Sequence, residues 1–336
     1  ESWSSLLLEE RPDVVHLHHY YKVGVELPLL IRRLLPKTGI VMTLHEYLAI
    51  CLMSGQMVDP QGNLCLRSGT EKCAACVGWK AESTYAREDY LRRALGHVDE
   101  FIVPSQFARD RYVAWGLLRD RTQVIANCLD LPTRQGRKER PVPGDPLRLA
   151  YLGQHTPFKG LEVLLDAIAQ LEQTGEGLIE SVRVFGGGSD QFGPNFTNKL
   201  RELRKTSTPI VTFPGAYSQE ALVAILDKVD AIVVPSVWWE NSPVVIEEAL
   251  ARRVPVICSN IGGMAEKVRH GLDGWHFPVG DSTALAELIS NLARQGVPPL
   301  PFMRVPLTPS QVAADHEVVY ERVYHRLNSG ASIRVL

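Results

Sequence analysis

A single carboxylate stands between an apolar run and a helix start in the segment WWENSPVVIEE, residues 238–248. The run at 231–235 is β-branched and typical of a buried strand, and Ser242 with Pro243 is typical of a helix N-terminus. Ligands of open α/β sheets bind beyond the carboxyl ends of the strands, where helix N-termini present free amides to anions. The spacing therefore predicts that Glu240 lies beside an anion-binding turn.

A group of cysteines suggests a second kind of chemistry. The group consists of Cys51, Cys65, Cys73 and Cys76. In a cytosolic protein, clustered thiols with a C-x-x-C pair favour a structural tetrathiolate zinc site over disulfides. A redox pair and chance burial stay open as alternatives, because the spacing between Cys51 and Cys65 is long for a zinc knuckle. Zinc bound here would fold a loop near His45.

Composition excludes several classes of function. The chain has 336 residues, 45% of them hydrophobic and 22% charged, which is enough for two domains with substantial cores. A formal net charge of -2 gives no bulk electrostatic reason to bind nucleic acid or an anionic membrane. No apolar run approaches the roughly 20 residues that span a bilayer, and the acidic start ESWSSLLLEE lacks the basic flank of a signal peptide. We expect a cytoplasmic protein whose membrane contact, if any, is local and peripheral.

The elements that must position these residues follow an α/β pattern. Strand patterns at 14–18, 40–44 and 100–104 alternate with helix patterns at 25–35, 82–95 and 106–115. Alternation of this kind is the signature of a parallel sheet. The pattern restarts after a segment rich in proline, glycine and charge. We predict an N-terminal Rossmann-like domain at 1–130, a linker at 131–146, a C-terminal Rossmann-like domain at 147–306, and a last helix at 307–330 that packs back on the N-terminal domain.

The motifs of this chain resemble those of the retaining, nucleotide-sugar-dependent glycosyltransferases of the GT-B fold, family GT4. In the C-terminal half the resembling features are Glu240 and Glu248 with seven residues between them, EEALARRVPVI, GGMAE, GLDGWHFPVGD and KG at 159–160. In the N-terminal half they are VVHLHH, TLHEY, PSQF and VIANCLD. The resemblance covers nearly the whole chain. It implies two doubly wound domains that face each other across a cleft.

The resemblance also implies roles for individual residues. Catalytic roles fall to Glu240, His45 and Lys159. Donor-binding roles fall to Glu248, Gly153, Gln154, Asn241, Ser242, Pro243, Val244 and Gly215. The residue types suit this chemistry, because a diphosphate leaving group needs cations and backbone donors, and a carboxylate inside a helix can accept bonds from ribose hydroxyls.

The implied reaction is transfer of a sugar from a nucleotide-diphosphate sugar to a saccharide or lipid-linked acceptor, with retention at the anomeric carbon and without a catalytic cofactor. Retaining glycosidases use two carboxylates about 5 Å apart, one of them as nucleophile. No such pair stands out in this sequence. The family is thought to use front-side displacement instead, so that Glu240 would position and stabilise the donor sugar rather than attack it.

Two departures from the family pattern limit the expected activity. The family has an arginine after the glycine that ends the first strand of the donor domain, whereas Gln154 follows Gly153 here. A neutral amide can hydrogen-bond a phosphate oxygen but cannot neutralise it. Relatives also begin with one more strand and a glycine-rich loop, so the N-terminal domain looks incomplete at its start. We therefore expect donor binding by the C-terminal domain but poor or absent turnover.

Several alternatives stay open at this level. Glycines 186–188 could cradle phosphate or form a tight turn, and the alternation of His16 and His18 does not say which of them faces a ligand. Taken alone, His45 could be a buried histidine bonded to a carbonyl. A nucleotide-sugar epimerase and a non-catalytic sugar-nucleotide-binding subunit are the rival functions.

Overall fold

A computed structural model of the protein describes residues 2–132, 141–298, 300 and 303–328. Residues 133–140 of the predicted linker and 329–330 of the predicted last helix lie outside the described residues. The chain divides into two compact units, one formed by the chain up to Cys128 and from Leu307 onwards, the other by Leu129–Pro306. Within the described ranges, none of the helices is both long and apolar enough to cross a lipid bilayer.

Unit 1 is built on a four-stranded parallel sheet with strand order β1-β2-β3-β4. Its strands are β1 Val14–Leu17, β2 Gly39–Thr43, β3 Glu100–Val103 and β4 Thr122–Val124. Its helices are α1 Trp3–Glu10, α2 Leu27–Leu34, α3 Thr70–Val77, α4 Ala81–Leu95, α5 Gln106–Trp115 and α12 Pro309–Leu327. The strands predicted at 14–18, 40–44 and 100–104 and the helices predicted at 25–35, 82–95 and 106–115 agree with the observed bounds within two residues. The last helix ends at Leu327, three residues before its predicted bound of 330. Helix α1, strand β4 and helix α3, which lies inside the cysteine segment, were not predicted.

Helix α12 closes the core of unit 1. Its residues Val312, Val319 and Val323 are buried in one apolar cluster with Val14 of β1 and Val41 of β2. The helix is well started, because Thr308 and Gln311 form a reciprocal capping box. The last helix is therefore part of the N-terminal unit's core rather than an appendage.

Charge also ties α12 to the sheet. Glu100 of β3 is fully buried, and its Oε1 lies 2.7 Å from Arg326 Nη2 and 3.3 Å from Arg322 Nε. Replacing Arg326 by alanine should lower the free energy of unfolding by about 1–2 kcal/mol, because a buried carboxylate loses a charged hydrogen-bond donor. Denaturant unfolding of the full chain measures it.

The matched control for this prediction is Arg93→Ala. Arg93 makes a comparable ion pair with Asp89, at 2.8 Å, but its side chain is 78% exposed. An exposed pair of this kind contributes roughly 0–1 kcal/mol. Equal losses in the two variants would contradict a specific role for the Glu100 pair.

Unit 2 is built on a six-stranded parallel sheet with strand order β10-β9-β8-β5-β6-β7. Its strands are β5 Leu147–Leu152, β6 Ile179–Phe185, β7 Val211–Gly215, β8 Ala231–Val234, β9 Val256–Ser259 and β10 Gly274–Phe277. Its helices are α6 Leu161–Gln173, α7 Gly193–Thr206, α8 Gln219–Asp227, α9 Val244–Ala251, α10 Gly262–Lys267 and α11 Ser282–Gln295. Because β5 and β8 are neighbours, the loops that follow them meet at the same edge of the sheet.

Candidate active site

Glu240 lies on the loop after β8, and its side chain is only 8% exposed. Its Oε1 accepts three hydrogen bonds, from Lys159 Nζ at 2.6 Å, Ser236 Oγ at 2.8 Å and Trp238 Nε1 at 2.8 Å. Its Oε2 has no hydrogen-bond partner among the residues that the structure describes. Three donors thus fix the carboxylate and leave one oxygen for a ligand.

Lys159 is brought to Glu240 by the packing of two backbone loops. Phe158 O accepts a hydrogen bond of 2.9 Å from Val237 N, which joins the loop after β5 to the loop after β8. Gly160, at φ +67°, precedes α6, and a Cβ there would lie 1.8 Å from the carbonyl oxygen of Pro235. Only glycine allows this approach. The lysine therefore reaches the carboxylate because its loop lies directly on the backbone of the neighbouring loop.

The start of helix α9 differs from its predicted position. The helix begins at Val244, and the N-cap residue is Pro243 rather than Ser242. Pro243 has the extended conformation, with ψ 118°, and residues before a proline are disfavoured in the α region. The first helical turn therefore starts one residue later than the sequence signal, and Ser242 and Asn241 belong to the loop that carries Glu240.

Helix α10 holds the same loop from its other side. Gly263 N donates a 2.8 Å hydrogen bond to the carbonyl oxygen of Glu240. A Cβ on Gly263 would lie 1.9 Å from the carbonyl oxygen of Asn241, so the two backbones touch. The GGMAE motif thus supports the backbone on which Glu240 stands.

Three strands of unit 2 end in glycines that lie side by side. Gly186 N donates to Gly215 O at 2.8 Å, and a Cβ on Gly186 would lie 1.8 Å from Gly153 O. The open question about the glycine run is thereby answered for Gly186, which packs against a neighbouring strand end. These three glycines leave the ends of β5, β6 and β7 without side chains, so that a ligand could approach the backbone closely.

Glu248 lies on α9, where it is half-buried, and burial raises the pKa of its carboxyl above the usual range. Burial first, and the nearby Glu248 carboxylate second, raise the pKa of Tyr217 to about 12. Tyr217 follows β7, so Glu248 faces the end of the strand that carries Gly215. The adjacent Glu247 points elsewhere, since it is buried against Lys267 and Arg304.

His155 and Arg204 are residues of this region that sequence reasoning missed. The Nδ1 of His155 accepts a 2.8 Å hydrogen bond from Arg204 Nη2 of α7. Burial first, and the guanidinium second, lower the pKa of His155 to about 4. No motif spacing signals this contact, because 49 residues separate the pair. The guanidinium of Arg204 is thereby held beside His155, the residue that follows Gln154. The side chain of Gln154 itself is exposed.

In unit 1, His45 follows β2, and its ring is partly exposed and partly shielded by its neighbours. Its Nε2 lies 3.3 Å from His18 Nδ1. Burial first, then His18 and His19, lower the pKa of His45. The interpretation of His45 as a buried histidine bonded to a carbonyl is therefore wrong.

Comparison with known protein families covers both units. Residues 2–132 match the family described as Glycosyltransferase Family 4, and residues 146–295 match the family described as Glycosyl transferases group 1. The chain is made of two glycosyltransferase domains. Residues of the candidate site in unit 2, including Lys159 and Glu240, lie within the second matched range.

Curated relatives of these glycosyltransferase domains include enzymes named for polysaccharide assembly. The amylovoran biosynthesis glycosyltransferase AmsK of Erwinia amylovora is 25% identical over 70% of this chain and 58% of its own length. The putative colanic acid biosynthesis glycosyltransferase WcaL of Salmonella typhimurium is 30% identical over 48% of this chain and 40% of its own length. The chain therefore spans about half the length of these relatives.

Solved structures confirm the predicted fold class, two Rossmann-like domains of the GT-B type. Alr3699/HepE of Anabaena, solved in complex with UDP, has a TM-score of 0.62 and 16% identity, covering 96% of this chain and 78% of that chain. A glycosyltransferase from Rickettsia africae has a TM-score of 0.64 and 16% identity, covering 95% of this chain and 79% of that chain. At this identity the likeness concerns the fold alone.

The four clustered cysteines of this chain line one pocket of unit 1. Two of the sulfurs accept backbone N–H groups at 3.3 Å, Cys51 Sγ from Met57 and Cys73 Sγ from Gly69. All four are free cysteines.

The candidate zinc site stays a prediction, because the four cysteines are not arranged around one metal position in this structure. Within residues 2–132, 141–298, 300 and 303–328, no three His, Cys, Asp or Glu side chains are arranged to hold a metal ion. Two sulfurs are turned toward backbone amides, and Cys65 Sγ is directed toward Asn63 O at 4.0 Å. The thiols share a pocket without converging on one point.

Proposed function

We propose that this chain transfers a glycosyl unit from a nucleoside diphosphate sugar to a saccharide or lipid-linked acceptor during polysaccharide assembly. The observation that carries the proposal is the Lys159–Glu240 pair at the carboxyl edge of the unit 2 sheet, where the α9 helix starts. The relatives named for amylovoran and colanic acid biosynthesis support the pathway class. The UDP and UDP-glucose named in neighbour structures support the donor class.

In this proposal Lys159 and the first amides of α9 bind the diphosphate, the lysine as a charge and the amides as oriented donors. Gly153 and Gly215 let the nucleotide approach the backbone, and Glu248 accepts hydrogen bonds from the ribose hydroxyls. Gln154 offers a phosphate oxygen an amide hydrogen bond without neutralising it. The half-buried position of Glu248 suits this role, because a carboxylate shielded from water makes stronger bonds to hydroxyls.

At the sugar, Glu240 and His45 are the proposed contacts. The oxygen of Glu240 that no described residue occupies is available to a sugar hydroxyl or to charge that develops at the anomeric carbon. In front-side displacement the bond from the anomeric carbon to the leaving phosphate breaks while the bond to the acceptor oxygen forms. The acceptor proton passes to a phosphate oxygen, and the anomeric configuration is retained.

A panel of nucleotide sugars tests the proposal. Thermal unfolding is followed with UDP, GDP and ADP sugars, with inorganic phosphate as the control for simple anion binding. The sugars of one nucleotide should raise the unfolding temperature of unit 2. Glu248→Gln should weaken the binding of that nucleotide sugar by about tenfold, the effect of losing one charged hydrogen bond. No stabilisation by any nucleotide sugar would overturn the proposal.

The same samples separate the rival functions. Product analysis by proton NMR distinguishes transfer with retention from transfer with inversion through the coupling at the anomeric proton. Conversion of the donor without an acceptor would identify an epimerase. Binding without any transfer to acceptor or water would favour a non-catalytic sugar-nucleotide-binding subunit. The neutral Gln154 supports this alternative.

We propose that the transfer needs no cofactor and that the cysteine pocket takes a structural zinc ion. Four thiols in one pocket match the donor set of structural zinc, and the two N–H···S bonds favour thiolates. Burial first, and the neighbouring sulfurs further, raise the pKa of Cys76, so a bound cation would be needed to deprotonate this thiol. The thiols would have to turn inward to bind it.

Metal analysis checks this zinc proposal. We expect about one zinc per chain in protein purified without chelators, and its loss in Cys73→Ser. The matched control is Cys128→Ser, since Cys128 is an exposed cysteine outside the pocket. A chain that stays free of zinc after incubation with the metal alone would contradict it.

For a lipid-linked acceptor we propose reaction at the cytoplasmic face of a membrane, with peripheral contact only. Sedimentation with vesicles of zwitterionic and anionic lipids tests this contact, and absence from both pellets would contradict it.

A further inference from the structure

Four histidine rings gather in unit 1 where β1 and β2 end beside α12. His16 and His18 have ring centroids 4.1 Å apart, His16 and His316 5.4 Å apart, and His18 and His45 5.6 Å apart. The cluster reaches from the last helix of the chain to the histidine proposed to contact the donor sugar. None of these rings except His45 was assigned a role from the sequence.

His16 is the fixed end of the cluster. Its Nδ1 lies 2.7 Å from the hydroxyl of Tyr320 in α12, and its Nε2 lies 2.7 Å from Thr43 Oγ1 in β2. A ring with both nitrogens bonded to separate elements cannot turn without losing both bonds. Burial first, then His18, His316 and His45, lower the pKa of His16 to about 3, so the ring is neutral at pH 7.

His18 lies between this fixed ring and His45. Its ring lies against His16 at a tilt of 35°, and its Nδ1 lies 3.3 Å from His45 Nε2. The His18 and His45 rings are nearly coplanar, at 16°, and their centroid separation is that of two imidazoles meeting edge to edge. The hydrogen bond therefore runs along both ring planes, which is its favourable direction.

A hydrogen bond between two neutral imidazoles contains one proton. Burial lowers the pKa of both His18 and His45, and His316 lowers them further, so the neutral form of each ring predominates at pH 7. One nitrogen of the pair must then be the donor and the other the acceptor. If Nε2 of the neutral His45 ring carries the proton, Nδ1 is an acceptor, and if Nε2 does not, Nδ1 is a donor.

We propose that His18 is a positioning residue for His45, which fixes the ring orientation and the tautomer that His45 offers to the donor sugar. The proposal rests on the proposed transferase function for the role of His45, but the His18–His45 coupling exists without a ligand. Tyr320 and Thr43 secure it from the far side by holding His16. Helix α12 thereby supports His45 indirectly, because its Tyr320 holds His16 and the His18 ring lies between His16 and His45.

The test uses nitrogen NMR of the histidine rings in the full, ligand-free chain, with the His45 signals identified by their loss in His45→Gln. Wild type should show one dominant His45 tautomer. His18→Ala should give a mixture of tautomers, and His18→Asn, whose amide can take the place of Nδ1, should restore one. His325→Ala is the control, because His325 is an exposed histidine of α12 whose ring contacts Tyr324.

A titration adds a second measurement. Burial first, and then His18, His19 and His316, lower the pKa of His45, and the carboxylate of Glu46 lies 3.4 Å from His19. Removing His18 should therefore raise the pKa of His45 toward its ordinary value. If the two rings did not interact electrostatically, the pKa of His45 would not change. In transfer assays His18→Ala should lower kcat by about tenfold, the effect of one lost hydrogen bond, with the donor KM little changed.

Unchanged tautomer and unchanged pKa of His45 in His18→Ala would overturn the positioning role, whatever the activity. Altered NMR signals in a chain that transfers no sugar would instead place the failure in the proposed function. A fall in kcat that His18→Asn does not restore, with intact tautomer, would show a merely structural effect.

Discussion

Glu240→Gln should lower the rate of glycosyl transfer by about 10²–10³-fold, the effect of removing one preorganised electrostatic partner from a reacting centre. Glutamine keeps the size of the side chain, and its amide oxygen can still accept bonds from Ser236 and Trp238. The negative charge beside Lys159 is lost, however, and so is the second carboxylate oxygen. The change is therefore expected in kcat more than in donor binding, as steady-state kinetics with varied donor would measure.

The control for this prediction is Glu180→Gln. Glu180 is an exposed acid near the start of β6, at the opposite edge of the same sheet, so its loss changes the net charge equally without touching the site. Both variants should unfold at nearly the wild-type temperature. A Glu240→Gln enzyme that transfers sugar at the rate of Glu180→Gln would rule out the proposed role of the acid.

Lys159→Met complements this variant. Because Lys159 and Glu240 are 2.6 Å apart, the two side chains should behave as a unit. The double variant should then lose little more activity than the worse single one, since contacting residues are not additive.

The sequence predicted the meeting of Lys159 and Glu240 because both are placed by rules of local structure. Each follows a parallel strand directly, and the carboxyl ends of parallel strands lie at one edge of the sheet. Neighbouring positions of β5 and β8 in the sheet then put the two loops in contact. The α/β alternation that gave the strands was equally local, which is why the fold class was correct.

What the sequence could not provide were contacts decided by packing between distant segments. The His155–Arg204 hydrogen bond joins residues 49 positions apart, and the hydrogen bond between His16 and Tyr320 joins residues 304 positions apart. No rule of sequence spacing predicts either contact. The start of α9 was wrong by one residue, because the extended conformation of Pro243 overrides the Ser-Pro signal. Helix α3 was hidden because its cysteines and lysine do not form a clear amphipathic pattern.

The adjacent acids Glu247 and Glu248 show the same limit. The resemblance implies the ribose-binding role for Glu248, and helical geometry turns its neighbour Glu247 roughly 100° away from it. Only the structure shows that Glu247 is buried with Lys267 and Arg304, which leaves Glu248 as the one facing the end of β7.

Gly160→Ala should be the most damaging single change near the site. The new Cβ would lie 1.8 Å from Pro235 O and 2.7 Å from Pro235 C, so the loop after β5 must move away from the loop after β8. At φ +67° a side chain also costs about 1–2 kcal/mol in backbone strain. With about 1–3 kcal/mol for the overpacking, the free energy of unfolding of unit 2 should fall by about 2–5 kcal/mol in total.

Gly175→Ala separates the two causes. Gly175 has nearly the same conformation, at φ +69°, but a Cβ there would meet nothing within 4 Å. It should show the backbone strain alone, about 1–2 kcal/mol, and bind nucleotide sugar as the wild type does. In Gly160→Ala, Lys159 is carried away from Glu240, so nucleotide-sugar binding should be lost even at temperatures where the chain remains folded. Equal unfolding free energies for the two variants, with binding retained in both, would mean that the close approach of the loops does not hold the lysine in place.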